Sequence, residues 1–395
     1  MKWSASTVFA IAFLFGTVLV EATEREIKRK QRKIKPQTSR ENYDDRYERT
    51  IGTLTTNSGE ISSDVYETLL KKNYDDDKDL VNFNYETLWR NGSRTVTRIS
   101  LGSAGFLETA QPSQLDHVVE RTSITNREGV DFNISFWPCL DQQSTRRRFK
   151  RLIFGRDSRI RLNTSSQAQK FPFSSTVKIS TGCSGSVISH IHVLTSAHCV
   201  HDGVRPLEPI AALKVGILRR HGKLRWIGVK SINFPEMWRL KNISPSFDYA
   251  VITLLKPHKR PFFKLGVIES EGYLYKLHFA SFPGDKKSNS LWYSHCYSRV
   301  ISHLLIGRCD ASSGSSGAGT YVRTSMKENG QNRVLVGILS GSGRVRLPSG
   351  RIKMFNLVTK LTSLKTRQIC RWIGAGYDCV TWSSKSVTHR LRSLE

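Results

Sequence analysis

The sequence predicts an all-β fold: two packed antiparallel β-barrels closed by one C-terminal helix. Short apolar runs recur after Leu152 with Gly, Pro, Asn and Ser between them. No alternation of strand and helix patterns appears, and only the last segment reads as helical. Many strands followed by a single helix suit two barrels packed face to face.

The expected strands lie at 186–189, 193–195, 213–218, 226–232, 250–255, 335–340 and 355–358. Thr362 or Ser363 can cap the helix. Leu364, Ile369, Trp372 and Ile373 share one face of it, and Gly374 and Gly376 stop it. Before this half, residues 81–143 are expected to be partly structured, with strands at 95–101 and 132–137. Residues 23–80 are polar, mixed in charge and poor in aromatic runs, so they are expected to be largely disordered.

Residues 1–22 read as a signal peptide. Lys2 gives a basic start, residues 8–20 form an apolar run short for a bilayer span, and Val20 and Ala22 fit small-residue cleavage. No later stretch is long and apolar enough to cross a membrane, so the product is expected to be secreted and extracellular. Four sequons without a middle proline, at Asn91, Asn133, Asn163 and Asn242, agree with glycosylation in that compartment. Arg148-Phe149-Lys150-Arg151 ends a basic run and fits the R-x-K-R pattern read by furin-like convertases. Cleavage between Arg151 and Leu152 would separate a prosegment, 23–151, from a compact domain, 152–380, followed by a basic tail, 381–395.

Seven cysteines are few for 395 residues, so disulfides staple an ordinary core rather than replace one. Cys183 and Cys199, Cys296 and Cys309, and Cys370 and Cys379 are close enough to pair locally, leaving Cys139 over. Six cysteines alone allow fifteen pairings. No spacing resembles a metal site, and neither a metal nor another cofactor is expected.

The net charge is +28, and the part from Leu152 onward carries 37 Lys and Arg against 12 Asp and Glu. A secreted domain this basic is expected to bind heparan sulfate or other polyanions, with solubility as the plainer explanation. Nucleic acid does not fit the compartment.

Thr195-Ser196-Ala197-His198-Cys199 ends a strand on a small-residue turn that presents one imidazole between two cysteines. Downstream, Asp248 precedes the buried-strand pattern Tyr249-Ala250-Val251-Ile252, and Gly314-Ser315-Ser316-Gly317 offers a hydroxyl between glycines. Acyl transfer by serine needs an activated hydroxyl, an imidazole base, a carboxylate to orient it, and backbone N–H groups for the oxyanion. His198, Asp248 and Ser316 fill the first three roles. The N–H groups of Gly314 and Ser316 fill the fourth. Ser340 and Gly341 can supply the strand that aligns a protein or peptide substrate. Other histidines, such as His192, His201, His258 and His303, have no such context and read as structural or surface groups. The order His, Asp, Ser is that of a chymotrypsin-like double six-stranded antiparallel β-barrel.

From about Tyr85 to Cys379 the chain resembles the trypsin-like serine protease 23 and inactive serine protease 35 family. The resemblance rests on Tyr85-Glu86-Thr87-Leu88, Phe154-Gly155-Arg156-Asp157-Ser158-Arg159, Ser180-Thr181-Gly182-Cys183, Lys256-Pro257-His258-Lys259-Arg260 and Arg308-Cys309-Asp310-Ala311, besides the words around His198 and Asp248. It implies a signal peptide, a prosegment and a two-barrel peptidase domain, and carries the triad onto His198, Asp248 and Ser316. In the inactive relatives the nucleophile position holds threonine, whereas this chain has Ser316. Asp310, six residues before Ser316, stands where trypsin places the aspartate that reads basic side chains.

Two positions depart from the pattern. Trypsin-like enzymes place an aspartate directly before the nucleophile, to pair with the amine freed by cleavage; here that residue is Ser315. Ala318 stands where the family more often has serine. The triad residues favour a serine endopeptidase. The missing aspartate favours the alternative, a catalytically silent secreted homologue that binds polyanions or proteins.

Overall fold

The computed structural model describes residues 83–101, 107–109, 132–136, 151–240, 244–268, 273–328, 331–346, 349–375 and 379–383. Six of its strands close the first barrel: β1 (Thr176–Ile179), β2 (Ser184–Val187), β3 (His192–Thr195), β4 (Lys214–Leu218), β5 (Leu224–Pro235) and β6 (Ala250–Leu254). Their order is β4-β1-β2-β3-β6-β5, and β5 returns to pair with β4. Six more close the second: β7 (Leu274–Ser281), β8 (Trp292–Ile301), β9 (Leu304–Gly307), β10 (Gly319–Glu328), β11 (Gln331–Arg346) and β12 (Ile352–Lys360). Their order is β10-β7-β8-β9-β12-β11, closed by β10 and β11.

Each barrel has its own apolar filling. Val177, Val193, Val215, Ile232, Phe234 and Ile252 pack inside the first. Leu277, Phe279, Val300, Leu305, Val336 and Leu339 pack inside the second. A third cluster joins the barrels, with Leu194, Tyr249 and Val251 on one side and Tyr321, Leu335 and Ile338 on the other. Side chains alternate across a strand. In β6, Ala250, Ile252 and Leu254 therefore face the first core while Val251 faces the second barrel. This double burial explains its nearly unbroken apolar run.

Helix α1 (Ser363–Trp372) follows as expected. The Thr362 hydroxyl caps it by accepting the Lys365 N–H. Ile369 enters the inter-barrel cluster, and the Tyr249 ring stacks on Trp372. All three expected disulfides are present: Cys183–Cys199, Cys296–Cys309 and Cys370–Cys379.

The fold begins well before Leu152. Strand Tyr85–Trp89 pairs antiparallel with β5, and Arg94–Thr97 pairs with Tyr85–Trp89. Leu88 joins the first core, and the Tyr85 ring meets the edge of Trp372. The buried Glu86 carboxylate accepts hydrogen bonds from Arg94 and Arg239, each at 2.7 Å. Gln368 of α1 donates to the Phe83 carbonyl. The expected boundary at 151/152 therefore cuts through one structural unit. Strand Phe132–Phe136 is also present, paired with β11.

Asn91 and Asn163 are exposed, and Asn133 lies on the strand Phe132–Phe136. The expected signal peptide, the segment 23–80, Arg148, Lys150, Cys139, Asn242 and the tail beyond 383 lie outside the described residues. Among the described residues no helix is long and apolar enough to cross a membrane.

Glu86→Ala should destabilise the protein by roughly 2 kcal/mol, less than the 3–5 of a fully buried pair because Arg94 and Arg239 both reach solvent. Chemical denaturation with coincident fluorescence and circular dichroism checks this. An unchanged midpoint would mean that the first strand pair contributes little to the fold.

Candidate active site

The register of β3 with β6 builds the first half of the site. Thr195 pairs with Ala250, so the turns entering and leaving these residues face each other. One is the 3-10 turn Ala197–Cys199, which carries His198; the other is Pro245–Phe247, which ends on Asp248. His198 Nδ1–H donates to Asp248 Oδ2 at 2.7 Å, and the His198 backbone N–H donates to Oδ1 at 2.9 Å. Ser340 Oγ, from β11 of the second barrel, donates to Oδ2 at 2.5 Å. Asp248 is fully buried and His198 nearly so. With Nδ1 donating, Nε2 is the ring nitrogen that carries the lone pair and can take a proton.

The loop 313–318, ahead of β10, builds the second half. Gly314 and Gly317 have φ of 88° and 79°, in the left-handed region that favours glycine. A Cβ at Gly314 would strike the Phe282 carbonyl; one at Gly317 would strike Thr195 Oγ1, Ser184 O and the Cys199 sulfur. The loop therefore lies directly against the turn that carries His198. Its Ser316 hydroxyl is buried and has no hydrogen-bond partner. Among the described residues neither the Gly314 nor the Ser316 N–H is taken by a backbone carbonyl. Ala318 packs in the second core.

Ser184 was not legible in the sequence, yet it clamps this loop to the first barrel. Its N–H donates to Ser316 O at 2.8 Å, and its hydroxyl donates to Gly314 O at 2.7 Å. The same hydroxyl accepts from Phe282 N. The backbone N–H thus holds one carbonyl of the loop and the hydroxyl holds the other.

Asp310 is placed differently from the expectation. It is buried, and its carboxylate is saturated by Phe154 N–H at 2.7 Å, Ser158 N–H at 2.7 Å and Ser158 Oγ at 2.6 Å. It fastens the segment that follows the basic site instead of facing a substrate pocket. Arg159 reinforces the fastening with paired hydrogen bonds to both Asp157 and Asp285. Burial disfavours the Arg159 charge, but these two carboxylates outweigh it and raise its pKa. Arg151–Leu152 pairs antiparallel with Ala311–Ser312. Ser315, in place of the aspartate, is buried and shares a hydrogen bond with Ser281.

Ser340 touches Asp248, as above. Gly341 presents its backbone edge to Phe136 of the strand Phe132–Phe136. The sulfurs of Cys183 and Cys199 lie beside the His198 ring, but a disulfide offers no thiolate to a metal.

Two closed six-stranded barrels with this site between them define the chymotrypsin-like serine protease fold. The family described as Trypsin matches residues 160–267. Serine protease 23 of Bos taurus is 34% identical over 320 residues, covering 75% of this chain and 76% of its own. Inactive serine protease 35 of Rattus norvegicus is 30% identical over 355 residues, covering 75% and 80%. The chain belongs to this family of trypsin-like serine proteases, whose members carry both active and inactive names. A solved Glu endopeptidase chain is 20% identical, with a TM-score of 0.45 over 56% of this chain and 98% of its own.

Several other histidines are held neutral by the fold. Burial pushes His192 and His295 down to about 4, and burial aided by Arg239 does the same to His201. These groups bind protons in the unfolded chain near pH 6.5 but not in the folded one until about pH 4. Their contribution is present above pH 6.5 and is lost as pH falls toward 4. The melting temperature should therefore drop across that window, and His201→Asn should flatten the drop. A flat profile in the parent protein would contradict the burial of these rings.

Proposed function

We propose that the protein is a secreted serine endopeptidase. The observation that carries this reading is the Asp248–His198 pair set against a nucleophile loop whose Ser316 hydroxyl is left without a partner. Ser316 Oγ attacks the scissile carbonyl while His198 Nε2 takes its proton. The oxyanion is met by the Gly314 and Ser316 N–H groups. His198 then gives the proton to the leaving amine, and water hydrolyses the acyl-enzyme by the reverse transfer. Asp248 fixes the tautomer and balances the transient imidazolium charge; Ser340 holds Asp248 in place. No cofactor enters the reaction.

The reading includes processing. A furin-like convertase cuts after Arg151, reading Arg148, Lys150 and Arg151. In the uncut chain Phe132–Phe136 runs antiparallel along β11 from Gly341 to Val345, on the edge proposed to align substrate. The prosegment thus occupies the place of a peptide substrate, and cutting at Arg151 loosens its hold. Strand Tyr85–Trp89 stays in the first sheet, so the cut prosegment remains attached without a covalent bond. Asp310, with both oxygens engaged, gives no preference for basic side chains. Glycans at Asn91, Asn133, Asn163 and Asn242 and binding to heparan sulfate complete the extracellular setting.

Secreted protein treated with a fluorophosphonate probe should be labelled at Ser316. Ser316→Ala and His198→Ala should each abolish labelling, and Ser316→Ala should keep the melting temperature. Labelling that survives Ser316→Ala would discard the nucleophile. A folded, processed protein that never reacts would favour the silent binding homologue.

Arg151→Ala should block the cut and slow labelling by about tenfold or more, about 1.4 kcal/mol in barrier. Sequencing of the parent protein should find Leu152 as a new N terminus, with the prosegment co-eluting in gel filtration. Equal labelling rates in cut and uncut protein would remove the inhibitory role of Phe132–Phe136.

A further inference from the structure

The first barrel carries a cavity that the proposed chemistry leaves unused. It measures about 710 Å³ and opens between the β4–β5 hairpin and the loop after β6. Arg219, Arg220, Lys223, Arg225, Lys259 and Arg260 line it, and among the described residues no carboxylate does. Among the described residues none of these six cations forms an ion pair.

The inner cations are anchored from behind by neutral groups. Arg225 Nη2 donates to the His258 carbonyl at 2.8 Å. Arg260 Nη2 donates to Gln169 Oε1 at 2.9 Å and to the Leu218 carbonyl at 2.7 Å. Both guanidinium groups are half-buried, while Arg219, Arg220, Lys223 and Lys259 are exposed. The charges are thus oriented without being cancelled. Burial, then Arg225 and Arg219, lower the pKa of Arg260, which reports the crowding. Like charges held together oppose folding, and an anionic ligand relieves that repulsion.

We infer that this cavity is a docking site for a sulfated glycan of the heparan type. Fixed guanidinium forks suit the oxygens of sulfate and carboxylate groups, and the volume exceeds what a single small anion fills. The site is separate from the catalytic one: β6 starts beside Asp248 and ends at this loop, so an occupied cavity leaves His198 and Ser316 free. The inference rests on the proposed extracellular setting and on no catalytic assignment.

The test uses the full secreted chain. One variant replaces Arg219, Arg220, Lys223 and Lys259 with Ala. A control replaces four cations exposed elsewhere, Lys214, Lys230, Lys287 and Arg351. Both must keep the parent melting temperature, and Arg219→Ala with Lys259→Ala alone serves if the fourfold variant does not. The cavity variant should lose about tenfold or more in affinity for heparin at physiological salt, with a salt slope shallower by about three, while the control stays within about threefold of the parent. Chemically desulfated heparin and inorganic sulfate should fail to compete. Equal losses in both variants would mean diffuse charge and overturn the site. Polyglutamate competing as well as heparin would overturn the glycan class. A parent protein that does not bind heparin would overturn the inference outright. Fluorophosphonate labelling, read in parallel, stays at the parent level in both variants. Its failure in all three proteins would bear on the enzyme reading alone.

Discussion

The buried Asp248 carboxylate is the charge around which the two barrels are assembled. It is fully buried, and among the described residues no lysine or arginine is one of its hydrogen-bond partners. A bare carboxylate in such a place is strongly unfavourable unless several donors meet it. The donors come from different parts of the molecule. His198 supplies a ring N–H and a backbone N–H from the first barrel, and Ser340 supplies a hydroxyl from the second. Satisfying one anion therefore ties the two β-barrels together at the site. The apolar cluster of Leu194, Val251, Leu335 and Ile338 fills the seam beside it. Packing supplies the attraction there, and the carboxylate supplies the alignment.

The loop 313–318, which carries Ser316, is held by a different device. Ser184 grips two of its carbonyls, and Gly314 and Gly317 allow the backbone to close against Phe282 and Cys199. A third support comes from the segment after the basic site. Asp310 binds the Phe154 and Ser158 amides, and Arg159 ties the same segment to Asp285. These bonds involve interior amides and side chains, not a chain terminus. The loop can hold its shape with Ser315 where trypsin-like enzymes keep an aspartate.

What could be read in the sequence was what is local. His198, Asp248 and Ser316 each sit beside a strand end or a glycine pair, and those patterns span only a few residues. β4, β5 and β6 were legible because their apolar residues alternate or run unbroken. β7 and β8 were not, because they bury His278, Ser294, His295 and Ser298 among their apolar neighbours. Those polar groups break the period while remaining inside. Ser184 and Arg159 were missed for another reason: their partners lie more than a hundred residues away, at Gly314 and Asp285. Asp310 shows the reverse error. Its spacing from Ser316 was right, but spacing does not reveal which groups close around a carboxylate.

The strand Tyr85–Trp89 has one more consequence, for how the molecule can be made. It covers β5 from Ser231 to Pro235 and lays Leu88 on the first core. A chain started at Leu152 would fold, if at all, with that row of amides and carbonyls bare. Such an edge is a template for pairing with a neighbouring copy. With the proposed cut after Arg151, the unit that folds is thus longer than the portion that starts at Leu152. The early residues then serve the sheet twice, as one of its strands and as the cover that keeps this edge from a neighbouring copy.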